Sequence, residues 1–223
     1  MATHTVRIKS IEKVTHDVLR IVSDKPSQYK FEPGQATSVA INKPDWKSKK
    51  RPFTFTSLPG DDHLEFIIKI YPQHKGVTNA LLQLSTHDEL LIEDPWGSIN
   101  YKGEGVFIAG GAGITPFISI FKHLKAQNEL ANNQLIFANK TKADIIHAAE
   151  FEKMLGDNFI NILSDEKTDQ YAHGFITEHF IKKSITDLGK YFYVCGPPKM
   201  MKAVEDILNN LKVEKEHIIK EEF

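Results

Sequence analysis

The sequence predicts two units in succession: an antiparallel β-barrel or sandwich over residues 1–102, then a doubly wound α/β unit around a parallel sheet over 103–223. Three observations predict this. Turn signals punctuate the first half at short intervals, at Lys25-Pro26, Glu32-Pro33-Gly34, Lys43-Pro44-Asp45, Leu58-Pro59-Gly60 and Asp94-Pro95, with short strand-like runs between them. From Gly105 onward, apolar strand-like runs alternate with segments of helical spacing. The change of rhythm falls at Tyr101–Glu104, where the boundary is expected.

In the first half, the runs Thr5–Ile11, Val18–Val22, Ala36–Ile41, Leu64–Ile70 and Glu89–Ile92 read as strands. Val77–Leu84, after Lys75-Gly76, is the one helical exception. In the second half, strands are expected at Val106–Ala109, Gln134–Ala138, Phe159–Leu163 and Tyr191–Cys195. Helices are expected over Pro116–Gln127, His147–Leu155 and Pro198–Leu211; in the first, Phe117, Ile120, Phe121 and Leu124 recur at helical spacing.

The 223 residues suffice for one large domain or two smaller ones. Hydrophobic content of 41% and charged content of 26% are ordinary for a globular protein, and a net charge of −1 gives no global argument for nucleic acid. The single cysteine, Cys195, rules out a disulfide within the chain and suits a reducing, cytoplasmic setting. A cysteine-ligated iron–sulfur cluster needs several thiolates, so none is expected on this chain. Met1–Ser10 lacks the apolar stretch of a secretory signal, and no run is long enough to span a membrane.

Four segments carry chemistry. In Val106-Phe107-Ile108-Ala109-Gly110-Gly111-Ala112-Gly113-Ile114-Thr115-Pro116 a buried strand runs into glycines and then a helix start. Gly110, Gly111 and Gly113 let a phosphate-bearing ligand approach the backbone, and the helix start offers free N–H groups. A glycine-rich turn with no ligand is the alternative. Arg51-Pro52-Phe53-Thr54-Phe55-Thr56-Ser57 sets an arginine, aromatics and hydroxyls on one strand, with Arg51, Phe53 and Phe55 on one face. A guanidinium suits phosphate, and an aromatic with hydroxyls suits a flat ring system; an ordinary barrel strand is the alternative. In Lys75-Gly76-Val77-Thr78, Gly76 and Thr78 offer phosphate ligands or a simple helix cap. Cys195-Gly196-Pro197-Pro198 ends a strand and opens a helix, which turns Cys195 toward the crevice shared with the Gly110 loop unless it is a buried structural thiol.

Taken in order, these four segments resemble the ferredoxin–NADP reductase family of flavoproteins, over essentially the whole chain. The resemblance implies an N-terminal FAD-binding barrel and a C-terminal NAD(P)H-binding unit. It implies that Arg51 binds a flavin phosphate, that Pro52 and Phe53 lie beside the flavin with Phe53 in a tyrosine's position, and that Thr54 stands near flavin N5. It gives backbone contacts to Lys69, Ile70 and Tyr71, and pyrophosphate contacts to the turn Gly76, Val77 and Thr78. Gly110, Gly111, Gly113, Thr115 and Pro116 are then set toward the pyridine nucleotide, with Cys195, Gly196 and Pro197 near the nicotinamide. Glu221 and Phe223 match a terminal acid and aromatic that assist turnover and shield the flavin. FMN in place of FAD stays open, because no segment fixes the adenine.

Asn139-Lys140-Thr141-Lys142-Ala143-Asp144-Ile145 looks like a segment of NADH-dependent cytochrome reductases. Asp144 disfavours a 2′-phosphate while Lys140 and Lys142 favour one; the balance leans to NADH, with NADPH open. The expected activity is electron transfer from reduced nicotinamide through flavin to a separate carrier such as flavodoxin or ferredoxin. Lys43, Lys47, Lys49 and Lys50 offer a basic rim for an acidic carrier, or a solvated loop. Two alternatives stand beside this: a flavin, quinone or ferric-chelate reductase, and a non-catalytic binding module.

Overall fold

The structure, a computed structural model, describes residues 2–221. Strands β1 (Thr3–Thr15), β2 (Val18–Asp24), β3 (Ala36–Ile41), β4 (Arg51–Thr54) and β5 (His63–Lys69) precede the short helix α1 (Val77–Ala80) and strand β6 (Glu89–Glu93). They form one sheet in the order β4-β3-β6-β1-β2-β5, with every pairing antiparallel. Just past β4, Phe55 pairs with Phe66 on β5 and joins the two edges, so the sheet closes into a barrel. The alternating apolar residues of the strands fill it: Val6, Ile8, Ile21, Val39, Phe55, Phe66, Leu90 and Ile92 share one core.

The second half adds β7 (Gly105–Gly110), α2 (Thr115–Ala126), β8 (Gln134–Asn139), α3 (Ala148–Leu155), β9 (Phe159–Leu163), β10 (Ala172–His173), α4 (Glu178–Ser184), β11 (Tyr191–Cys195), α5 (Pro198–Asn210) and β12 (Ile218–Lys220). The strand order is β10-β9-β8-β7-β11-β12, with every pairing parallel. On one face Phe107, Leu135 and Phe137 pack under Phe117 and Phe121 of α2 and Phe151 of α3; barrel residues Val18 and Ile67 join this cluster. On the other face Val106, Ile108 and Ile136 pack under Ile181 of α4 and Val204 and Leu208 of α5. Helices on both faces make the sheet doubly wound, as the alternation predicts.

Three elements escape the sequence reading: β10, α4 and β12. Helix α4 buries only Ile181 fully, so its apolar period is faint. The expected helix Val77–Leu84 is one α-turn followed by a 3₁₀ turn over Leu81–Gln83. The join between the halves is pinned by Tyr193: its hydroxyl accepts from Lys102 N (2.9 Å) and Gly103 N (3.1 Å) and donates to Gly103 O (2.8 Å).

Candidate functional site

The carboxyl ends of β7 and β11 lie side by side, the place where an open parallel sheet presents its crevice. The barrel faces this crevice. Between them lies one cavity of about 1340 Å³. Pockets for a single drug-sized ligand run to roughly 300–1,000 Å³, so this one is larger than such a ligand needs.

On the barrel side the cavity is lined by Pro52, Phe53 and Thr54 of β4, by Lys69, Ile70 and Tyr71 at the end of β5, and by Thr78, Ala36 and Trp96. Backbone register explains part of this. Ala36 pairs with Thr54 on one side and with Trp96 on the other, so Thr54, Ala36 and Trp96 form a row across the sheet. Alternation separates Pro52 and Thr54 from Phe53 and Phe55. Phe55 is in the barrel core, and Phe53 packs against that core while reaching the cavity edge.

On the other side the cavity is lined by Gly110, Gly111, Gly113, Thr115, Asp144, Cys195, Gly196, Pro197 and Glu221. The glycines divide their work. Gly111 has φ +51°, and a Cβ there would meet nothing within 4 Å, so its backbone is open to a ligand. At Gly113 a Cβ would lie 2.2 Å from the Cys195 carbonyl oxygen. That close approach is to protein: the missing side chain lets the turn seat against the Cys195–Gly196 loop. Gly110 likewise makes room for Met200, whose Sδ would lie 2.5 Å from a Cβ.

Four expected residues do not line the cavity. Arg51 is exposed, and its Nη1 donates to the Lys50 carbonyl at 2.7 Å. Gly76 begins α1 at the rim, where a Cβ would meet nothing. The Val77 side chain is buried in the barrel core, and Pro116 is buried in the first turn of α2. Phe223 lies outside the described residues. The basic rim is partly paired: Lys43 with Asp88 and Lys50 with Glu93, while Lys49 lies over the Trp46 ring and keeps its charge.

Charge in the site follows from burial and partners. Burial, with Glu221 nearby, pushes the Cys195 thiol up to about 12, so Sγ keeps its proton. Burial also pushes the Glu221 carboxyl up. Burial works against the Asp144 carboxylate too, but hydrogen bonds from Thr141 N (2.9 Å) and Thr141 Oγ1 (2.8 Å), with Lys69 and His16 close by, hold it below the usual range. Lys69 Nζ bridges Asp17 (2.8 Å) and Asp144 (3.7 Å), tying barrel to parallel sheet. The Asn139 amide, buried at the cavity, has neither its oxygen nor its nitrogen bonded to any of the described residues.

Several lining residues escape the sequence reading: Trp96, Ser164, Asp165, Phe175 and Met200. Asp165 was within reach of it, because it is the second residue past the end of β9 and ligands collect at such strand ends. Phe175 is 77% exposed, a large apolar ring at the cavity mouth just after Gly174 at φ +115°.

Comparison with known proteins agrees with this architecture. A family described as an FAD-binding domain matches residues 3–136, and one described as an oxidoreductase NAD-binding domain matches 107–206. The reductase component of propane 2-monooxygenase from Rhodococcus jostii is 29% identical over 97% of this chain and 62% of its own length. NADH-cytochrome b5 reductase 2 of Mycosarcoma maydis is 30% identical over 88% of this chain and 62% of its own. The ferredoxin–NAD(P)+ reductase component of the naphthalene 1,2-dioxygenase system of Pseudomonas putida is 23% identical over 100% of this chain and 71% of its own. The chain thus spans under two thirds of the first two. Among solved structures, the FAD/NAD-binding domain of a Vibrio cholerae nitric oxide dioxygenase superposes with TM-score 0.86 at 19% identity, covering 98% of both chains. A Neisseria gonorrhoeae ferredoxin NADP+ reductase with bound FAD and NADP superposes at 0.83 with 18% identity, covering 99% of this chain and 98% of that one. At these identities the likeness is one of fold.

Proposed function

Because this chain belongs to the ferredoxin-reductase-like flavoproteins, with their FAD-binding and oxidoreductase NAD-binding domains, we propose that it takes electrons from NADH and delivers them, through flavin, to a separate carrier protein. In this reading residues 1–102 hold the flavin and residues 103–223 hold the nucleotide. The observation that carries it is the single cavity in which the Thr54 row of the barrel faces the Gly111 turn and Cys195. The relatives named above include reductase components that serve an oxygenase, and a carrier or oxygenase component is the acceptor class we favour.

Bound FAD supplies a ring that takes up hydride and gives electrons back singly. The residues present fit it and its nucleotide. The open backbone at Gly111 and the start of α2 offer N–H groups to a pyrophosphate. Thr54 offers a hydroxyl to the ring edge, and Lys69, Ile70 and Tyr71 offer backbone groups along it. Arg51, held among the described residues only by the neighbouring carbonyl, can turn onto a flavin phosphate beside Gly76 and Thr78. The Cys195 thiol is protonated, so it positions the nicotinamide and does not attack it. Glu221 lines the same cavity, and burial pushes its carboxyl above the usual carboxylate range.

For the nucleotide, Asp165 and Phe175 support NADH: a carboxylate at the end of β9 repels a 2′-phosphate, and an exposed ring beside it suits an adenine. Asp144 contributes less than its sequence position suggests, since Thr141, Lys69 and His16 already engage its oxygens.

A second reading keeps a small acceptor such as free flavin or quinone. The pairing of Lys43 with Asp88 and Lys50 with Glu93 favours it, because it leaves that surface less charge to steer an acidic carrier. Anaerobic stopped-flow mixing with NADH and NADPH, followed at the flavin band near roughly 450 nm, tests the core of the proposal. Fast bleaching by NADH is expected. A protein that takes up no FAD, or bleaches with neither nucleotide, refutes it.

A further inference from the structure

Helix α2 starts at Thr115, directly after the glycine turn, so a slide or rotation of this helix carries the turn with it. Polar contacts at two levels fasten it to the barrel. Gly34 N donates to Ser119 Oγ at 2.9 Å, in a buried position. A turn further on, Lys122 Nζ donates to the Thr56 carbonyl at 2.9 Å and to Glu65 Oε1 at 2.8 Å. Thr115, Ser119 and Lys122 share one face of the helix by their spacing.

Glu65 is the centre of this seam. It is only 4% exposed. Its Oε1 also accepts from Thr56 Oγ1 at 2.9 Å, and its Oε2 accepts from Arg20 Nε at 2.7 Å. Thr56 N in turn donates to the Glu65 carbonyl at 2.8 Å. Thr56 lies two residues beyond Thr54. One buried carboxylate therefore joins β5, the segment just past the Thr54 row, and the helix that carries the nucleotide turn. An apolar seam of equal area would hold the halves together as well, but would let them slide; directional hydrogen bonds to a buried charge do not.

We propose that Lys122 and Glu65 are a positioning pair that sets the nucleotide turn against the flavin segment, and so governs the rate of hydride transfer more than the binding of either ligand. The inference rests on the reductase reading above. Neither residue lines the cavity, so neither acts on the reacting atoms directly.

The test compares wild type, Lys122→Met, Glu65→Gln, the double variant and Lys122→Arg in the full chain. Bleaching of the wild type by NADH comes first, because its failure refutes the reductase reading and not this pair. In Lys122→Met, FAD content and the dissociation constant for NAD+ should stay within about twofold of wild type. Single-turnover flavin reduction should slow by ten- to a hundredfold, the order expected for a misplacement of about 1 Å. Lys122→Arg should recover part of the rate, and adding Glu65→Gln to Lys122→Met should cost far less than it does alone. A readout independent of turnover is amide hydrogen exchange over residues 111–126 of the flavin-free protein, which should quicken in Lys122→Met. If Lys122→Met does not fold, Glu65→Gln and Lys122→Arg carry the same comparison. Reduction rates within twofold of wild type, or a loss matched by equal loss of FAD or NAD+ affinity, overturn the proposal.

Discussion

Replacing Gly113 by alanine should destabilise the parallel-sheet half far more than the same change two residues earlier. The added Cβ at Gly113 would sit 2.2 Å from the Cys195 carbonyl oxygen, 2.4 Å from its carbon and 2.6 Å from Gly196 Cα. Ordinary contact begins near 3.4 Å, so the two loops must part by about 1 Å. All three atoms are backbone or next to it, so no flexible side chain can swing away. Overpacking of this kind costs about 1–3 kcal/mol, and the rigid neighbours put Gly113→Ala at the upper end. For a chain of this size roughly 3 kcal/mol lowers Tm by about 6–12 °C. At Gly111 the Cβ meets nothing, and only the left-handed backbone at φ +51° is penalised; that costs roughly 1 kcal/mol, or about 2–4 °C. Binding should run the other way, because the Gly111 Cβ projects into the cavity. Thermal unfolding by circular dichroism, with NAD+ titration of both variants, checks both orders. Equal Tm losses, or a larger loss for Gly111→Ala, would show that the turn does not seat on the Cys195–Gly196 loop as described.

Four further outcomes follow from the same geometry. Arg51→Ala should weaken FAD binding by about ten- to a hundredfold, the worth of a lost charge-assisted hydrogen bond, with Tm of the flavin-free protein unchanged, since the side chain is exposed; equilibrium dialysis and a melt check both. Native Cys195 should resist iodoacetamide at pH 8: a thiol pushed from 9.0 to about 12 carries about a thousandfold less thiolate, and mass spectrometry should find rapid labelling only after denaturation. Asp165→Asn should raise the NADPH-to-NADH ratio of kcat/KM by about tenfold, which corresponds to roughly 1.4 kcal/mol of lost repulsion; an unchanged ratio removes Asp165 from the ribose. His147 is held below the ordinary histidine range, chiefly by burial, with Lys122 adding to it and Glu150 opposing. Its folded value lies below its unfolded one, so its contribution to stability is full above roughly pH 6.5 and declines as pH falls below that. His147→Asn, tolerated at φ +54°, should flatten the acid loss of Tm, read from melts between pH 7.5 and 5.

The architecture was legible because short-range rules fix it. Ala36–Ile41, Phe159–Leu163 and Tyr191–Cys195 are strands with the same bounds in sequence and structure, each a β-rich run ended by a turn residue or glycine. Elements too short to express a period were not: β10 has two residues and β12 three, and both exist because a neighbouring parallel strand offers its edge. The site was legible as segments but not as roles. Gly111 and Gly113 look alike in sequence, yet one faces open space and the other a carbonyl, a difference set by a loop more than eighty residues away.

The seam between the halves was hidden for a stricter reason. Glu65 and Lys122 are 57 positions apart, and Arg20 lies 45 before Glu65; each alone reads as a solvated charge in a chain where such residues make up 26%. Only closure of the barrel between Phe55 and Phe66 brings Thr56 and Glu65 together under α2. Burial then turns three unremarkable charges into a fixed joint, because a carboxylate that deep cannot spare either cation. Lys69 does the same on the cavity wall, where Asp17 and Asp144 converge on it from opposite halves. The segments that hold ligands can thus be read one at a time, while the geometry between ligands depends on contacts no segment contains. Loss of ligand affinity and loss of transfer rate should therefore map to different residues: the first to the cavity lining, Lys69 included, the second to the Glu65 joint behind it.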